Sequence, residues 1–300
     1  MTPSRRGILV RPLILEGQIA QLVEQRTENP CVPSSILGLA TNMITFWTVR
    51  PSRSSRNQNL TVPHSSPKTV AVVLSTMRSG STLLKALLAS APDVSDLPET
   101  DFQAFADSAQ HNRLYGLSDD PILLLKRPGW FNEIGRYPRL PTVSNLRKIV
   151  LVRDVYQNVL SVRKMAFRHL PFLVNTGVGN QFFCARYWHD INARLWQIAE
   201  ADPENTLLLR YEDLLADPII HTARLFAFIG SAQTRGIDTY DRPSAYQWGW
   251  GRDDGGDTIK SLKVQSPRLE TYTDHKLIGA IKSSPEVLKL RMQLGYADLP

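Results

Sequence analysis

Val70-Ala-Val-Val-Leu-Ser-Thr-Met-Arg-Ser-Gly-Ser-Thr-Leu-Leu-Lys-Ala-Leu-Leu88 decides how the rest of the chain is read. Val70–Leu74 is a short β-branched apolar run, which predicts a buried strand. Ser75–Gly80 is small and polar and contains one glycine. From Ser81 the apolar residues fall at Leu83, Leu84, Leu87 and Leu88, which is helical spacing. A strand, a tight loop and a helix in that order make an anion cradle. The first N–H groups of the helix lack intrahelical partners, and the helix dipole adds partial positive charge there. Gly80 lets backbone approach an anion, Arg78 supplies a full charge, and Ser79, Ser81 and Thr82 supply hydroxyls.

The pattern G-x-x-x-x-G-K-[ST] would require glycine at Ser75 and lysine at Ser81, and neither is present. The cation is Arg78 instead. The order basic-Ser-Gly-[ST]-[ST] resembles the phosphosulfate loop of the sulfotransferases, which use 3′-phosphoadenosine 5′-phosphosulfate. A second stretch agrees. In Ile149-Val-Leu-Val-Arg-Asp-Val-Tyr-Gln-Asn-Val-Leu-Ser-Val-Arg163 an arginine ends a strand and a serine follows eight residues later, inside the next helix. This resembles the family's 3′-phosphate site, R-[DN]-P-x-x-x-x-x-S, with Val155 in place of a proline that only starts the helix. The resemblance implies that Arg153 pairs with the 3′-phosphate and that Ser161 donates a hydroxyl hydrogen bond.

Two softer stretches follow. Arg210-Tyr-Glu-Asp-Leu-Leu-Ala-Asp-Pro218 resembles a family segment after a late strand. It reads as structural, with a packed tyrosine, acids at a turn and Pro218 starting a helix. Gly255-Gly-Asp-Thr-Ile-Lys260 resembles the family's Gly-Gly-Asp-x-Lys loop that closes over the nucleotide, with the lysine one residue late. On that likeness Lys260 is a nucleotide-binding candidate. Trp248 and Trp250 just before it could stack on adenine or an acceptor ring, or pack in the core.

Further strands are expected at Ile122–Lys126, Ile149–Val152 and Thr206–Arg210. Helices are expected at Asp101–Gln110, Val155–Ala166, Gln181–Glu200 and Ile219–Ile229. Strands alternating with helices imply an α/β fold of three layers, P-loop-like, its parallel sheet covered by helices on both faces. Ligands then sit beyond the carboxyl ends of the strands, which gathers Arg78, Lys126, Arg153 and Arg210 near one edge.

Sulfuryl transfer needs cations at the bridging oxygen and a base for the acceptor hydroxyl. Arg78 and Lys126 are the cation candidates, the latter in a Lys-x-Pro pattern similar to one in family members. The base is Glu99 or a histidine. Glu99 lies twenty-one residues after Arg78, as does a base in the tyrosylprotein branch, and it also suits a helix N-terminus. His111 and His169 match no pattern. No metal is called for, and no His/Cys/Asp/Glu spacing suggests one. A kinase or NTPase using ATP and magnesium, with Asp154 as metal ligand, is the competing enzyme reading, and a non-catalytic anion-binding domain is the other.

The net charge of +7 is concentrated at the start of the chain. Residues 1–68 hold eight Lys/Arg and three Asp/Glu, which leaves the remainder nearly neutral and removes the support for a nucleic-acid partner. Two cysteines, Cys31 and Cys184, form no disulfide framework, and a cytoplasmic setting is expected. Met43–Val49 is far short of the ~20 apolar residues that span a bilayer. Residues 1–67 are read as a disordered or spurious extension and 68–300 as the sulfotransferase domain. Gly17–Thr41 resembles the peptide produced when a reading frame crosses a transfer-RNA gene, which would make Met43 the start. Acid-free Val32–Lys68 also suits a transit peptide. The acceptor is a hydroxyl-bearing molecule of open class, and the oligomeric state is not legible.

Overall fold

β1 (Thr69–Leu74) occupies the interior of a four-stranded parallel sheet with order β2-β1-β3-β4, where β2 is Ile122–Lys126, β3 Leu146–Val152 and β4 Thr206–Arg210. The computed structural model describes residues 68–97, 100–166, 174, 176–241, 257–266, 273–297 and 299. All of these belong to one unit, Ser66–Pro300. Expectations for residues 1–67, Glu99, His169, Trp248, Trp250 and the Gly255-Gly256 loop lie outside the described residues.

The register pairs Val73 with Lys126 and Ile149, and Val152 with Arg210. All four strands therefore end at one edge. Both faces of the sheet are covered, so the strands are nearly continuous in apolar residues. Ala71, Val73, Leu124, Ile149, Leu151, Leu207 and Leu209 share a core with α1 (Ser81–Leu88) and with Leu225 and Phe226. α2 (His111–Tyr115) precedes β2, and α3 (Val155–Ala166) follows β3. After α4 (Gly177–Gln181) comes α5 (His189–Ala201), which packs on β3 and β4. α6 (Tyr211–Ala216) and α7 (Pro218–Ile229) follow β4, with Pro218 in the first turn of α7, where its missing N–H costs nothing. α8 (Asp257–Lys260), α9 (His275–Lys282) and α10 (Pro285–Gln293) complete the described part. No helix among the described residues is long and apolar enough to cross a membrane.

Two expected helices differ. Asp101–Gln110 forms two 3₁₀ turns, Phe102–Phe105 and Ser108–Gln110. The Asp101 and Asp107 carboxylates accept from Gln103 N and Ala109 N (3.1 and 3.0 Å), and this local bonding breaks a continuous helix. Gln181–Glu200 is interrupted by a π-helical turn, Phe182–Trp188, between α4 and α5. The wider turn re-aims Tyr187 and Trp188.

Candidate active site

Ser75–Gly80 leaves the C-terminal end of β1 and turns into α1. Two residues of this loop are left-handed, Arg78 with φ 66° and Gly80 with φ 89°. Gly80 caps α1 without a side chain, and its carbonyl accepts from Leu84 N (3.1 Å). Gly80 must also lack a Cβ because one there would lie 2.2 Å from Cε2 of Tyr211.

The expected nucleotide residues converge. Arg78 Nε donates to Ser161 Oγ (3.0 Å) on α3. Arg153 Nη1 donates to the Arg78 carbonyl (3.0 Å), which helps hold Arg78 in its costly left-handed conformation. The Arg153 carbonyl accepts from Trp188 Nε1 (2.9 Å). The guanidinium of Arg153 stacks over the Tyr211 ring, 4.8 Å from its centroid. Burial raises the Tyr211 pKa, while Arg153 and Arg78 pull it back down. Arg153 Nε is buried and makes no hydrogen bond. Lys126, 2% exposed, donates from Nζ to Thr82 Oγ1 (3.0 Å) in the first turn of α1.

Ser79 is fully buried, its hydroxyl bonded to Thr76 Oγ1 (2.7 Å) and to Asn158 Nδ2 (3.2 Å). Its side chain props the loop from within. Ser81 is also buried. Lys260 is exposed at the end of α8, and the glycines before it lie outside the described residues. Arg210 reaches the strand edge, but it pairs with Asp213 (2.5 Å) and donates to the Gly295 carbonyl, holding the C-terminal segment. The hydrogen bonds from Arg210 keep the Asp213 pKa below the usual range. Asp154, the residue a magnesium-dependent reading needs, is committed elsewhere. Its carboxylate pairs with Arg291 Nε of α10 (2.6 Å) and accepts from Tyr156 N (3.0 Å).

Several residues around the loop carry no motif. Asn158 Nδ2 donates to the Met77 carbonyl (2.9 Å) from within α3. It sits one helical turn before Ser161, a spacing that would have flagged it. Tyr187 and Tyr137 reach the loop from other elements, and Tyr211 fills the space beside Gly80. Nothing in their local sequence separates them from core aromatics. Beyond Lys126, Arg127 pairs with buried Glu133 (2.5 Å), which also accepts from Gln103 Nε2 (2.6 Å) and Trp130 N (2.8 Å).

Residues 116–234 match the model of a sulfotransferase family. The structure of a sulfotransferase from Alicyclobacillus acidocaldarius shares the fold at a TM-score of 0.51 and 12% identity, covering 77% of this chain and 97% of that one. The sulfotransferase domain from the curacin biosynthetic pathway is 20% identical and covers 79% of this chain and all of that one, with a TM-score of 0.47. A mouse sulfotransferase complexed with PAP is 16% identical over 77% of this chain and 89% of that one, with a TM-score of 0.45. No curated protein matches the sequence.

Proposed function

We propose that this chain, a transferase of the sulfotransferase family, moves a sulfuryl group from 3′-phosphoadenosine 5′-phosphosulfate to a hydroxyl of a carbohydrate, a protein tyrosine or a small metabolite. The observation that carries this reading is the meeting of Arg78, Arg153 and Ser161 beside the N-terminus of α1, with Arg153 Nε buried and lacking a partner. A buried guanidinium N–H without an acceptor is costly, and a phosphate oxygen would satisfy it with a charge-assisted bond.

The donor supplies an activated sulfuryl group on a phosphate leaving group. Arg153 and Ser161 hold the 3′-phosphate, Ser161 turning its hydroxyl proton outward while its oxygen still accepts from Arg78. The N–H groups of Ser81 and Thr82 and the Thr82 hydroxyl bind the 5′-phosphate. Ser79 contributes through its backbone. Lys126 and Arg78 meet the charge that grows on the bridging oxygen as the sulfur–oxygen bond breaks. Glu99 takes the proton of the attacking hydroxyl as the new oxygen–sulfur bond forms. Lys260 closes over the nucleotide from the other side. Cations of the protein suffice for this charge, and no metal is part of the proposal.

Adenosine 3′,5′-bisphosphate should bind in the presence of a chelator. Calorimetry should show Arg153→Ala weakening it by about 1.5–3 kcal/mol, the range for a hydrogen bond to a charged group. Absence of binding, or equal binding by the variant, would sink the nucleotide assignment. Magnesium-dependent binding of ATP in its place would favour the kinase reading. Labelled donor offered to glycans, phenols, lipids and peptides would identify the acceptor.

A further inference from the structure

Beyond Val73 and Lys126 the continuous β1–β2 ladder ends, leaving an isolated bridge, and the two chains stay in step. Val73 lies opposite Lys126, and Thr76 still lies opposite Gly129, which is the same register. One backbone bond survives in this stretch, from Gly129 N to the Ser75 carbonyl (2.9 Å). Two buried phenols occupy the remaining rungs. Tyr137 Oη accepts from Ser75 N (3.3 Å) and donates to the Arg127 carbonyl (2.8 Å). Tyr187 Oη accepts from Met77 N (2.6 Å) and donates to the Gly129 carbonyl (2.9 Å).

We propose that Tyr137 and Tyr187 are positioning residues that act as one clamp, setting the spacing between the loop that carries Arg78 and the strand end that carries Lys126. Each hydroxyl stands in for a missing ladder bond, accepting from one chain and donating to the other. The two bridges lie two residues apart on both chains, as successive rungs of a parallel ladder do. Both rings are buried, at 1% and 0% exposure, so water is not at hand to replace them. Burial also holds the Tyr187 pKa far above its ordinary value, which keeps its proton on the oxygen and its donor role intact.

The π-helical turn supplies Tyr187, and the same turn sends Trp188 to the Arg153 carbonyl. Phe131 packs edge-on against Tyr187, 4.6 Å between centroids, and fixes the ring. Gly129 is tightly enclosed, since a Cβ there would lie 2.9 Å from Tyr137 Cδ1 and 3.0 Å from Ile191 Cδ1. The two loops thus have little room to close on each other when a hydroxyl is removed. The unpaired N–H and C=O instead favour a shifted loop.

The inference concerns the site as read in the proposed function, and its test separates the two. Tyr187→Phe and Tyr137→Phe keep the rings and delete the rungs. Tyr156→Phe is the comparison, because its buried hydroxyl accepts from Asp274 N (2.9 Å) away from both loops. In the two clamp variants the Gly129 amide should exchange at least about tenfold faster, although its own acceptor, the Ser75 carbonyl, is not a partner of Tyr187. Tyr156→Phe should leave it unchanged. Adenosine 3′,5′-bisphosphate should bind about five- to thirtyfold more weakly to both clamp variants and with wild-type affinity to Tyr156→Phe. Arg78→Ala should cost less affinity on a Tyr187→Phe background than on the wild type, as coupled residues do. Unchanged Gly129 exchange in both clamp variants, or strict additivity with Arg78→Ala, overturns the clamp. If the wild-type protein binds no nucleotide, the functional reading fails and the exchange rates alone judge the clamp.

Discussion

A Gly80→Ala protein is expected to lose measurable adenosine 3′,5′-bisphosphate binding and to melt well below the wild type. Two effects add. Gly80 has φ 89° and ψ 12°, and a left-handed conformation costs an L-residue roughly 1–2 kcal/mol. The new methyl would also meet Cε2 and Cδ2 of Tyr211 at 2.2 and 2.3 Å. Tyr211 cannot simply swing aside, because its ring lies under the Arg153 guanidinium at 4.8 Å. The ring or the loop must therefore move, and either shift carries Arg78 and Arg153 away from each other. Calorimetry and a thermal melt check this. Combining Gly80→Ala with Tyr211→Ala should recover part of the melting temperature, since the clash goes while the backbone strain stays. Nucleotide affinity within about threefold of wild type in Gly80→Ala would show that the anion does not sit at this turn.

Glu99→Gln should lower turnover by ~10²–10⁴-fold, the usual worth of a positioned base, once the acceptor is known. Lys126→Met should lower it by about 10²–10³-fold, as when one donor to developing charge is removed. Neither job exists in the nucleotide-bound ground state, so the nucleotide dissociation constant should barely move in Glu99→Gln and rise only modestly in Lys126→Met. Glu99 lies outside the described residues. Two positions earlier the Leu97 carbonyl accepts from Lys85 Nζ, which ties the approach to that segment to α1. Lys126 stands at Thr82, beside the first turn of the same helix. His111→Ala and His169→Ala complete the series. Near-full turnover in Glu99→Gln, together with its loss in a histidine variant, would transfer the role of base to that histidine.

The sheet and the two charge motifs were legible because each rests on local pattern. Ile122–Lys126 and Thr206–Arg210 are apolar runs ended by a basic residue, and they form strands with those bounds. The Val155–Ala166 helix was equally plain, with Arg153 at the strand end before it and Ser161 inside it, and both residues bond to Arg78. What holds the loop was not legible. Tyr137, Tyr187 and Tyr211 act through contacts with residues far away in sequence, so no local period marks them. The Asp101–Gln110 helix failed because helical periodicity does not register the competition of Asp101 and Asp107 for nearby N–H groups. The break at Phe182–Trp188 escaped because a π-turn adds one residue without altering apolar character. Pairing of Asp154 with Arg291 of α10 spans nearly half the chain, and nothing near Asp154 announces it.

The interior place of β1 has a consequence for synthesis. β1 is the first of the four strands to leave the ribosome, yet it needs β2 on one side and β3 on the other. Its third-layer partners come later still. At roughly 5–20 residues per second, the stretch from Val70 to Leu146 takes about 4–15 s to translate. Until Ile122–Lys126 is made, Val70-Ala-Val-Val-Leu74 is an apolar, β-prone segment without a partner strand, and for the rest of that interval its β3 side stays open, the kind of segment that templates cross-strand association between nascent chains. Yield of folded protein should therefore depend on chaperone supply and growth temperature during those seconds more than on the stability of the finished sheet.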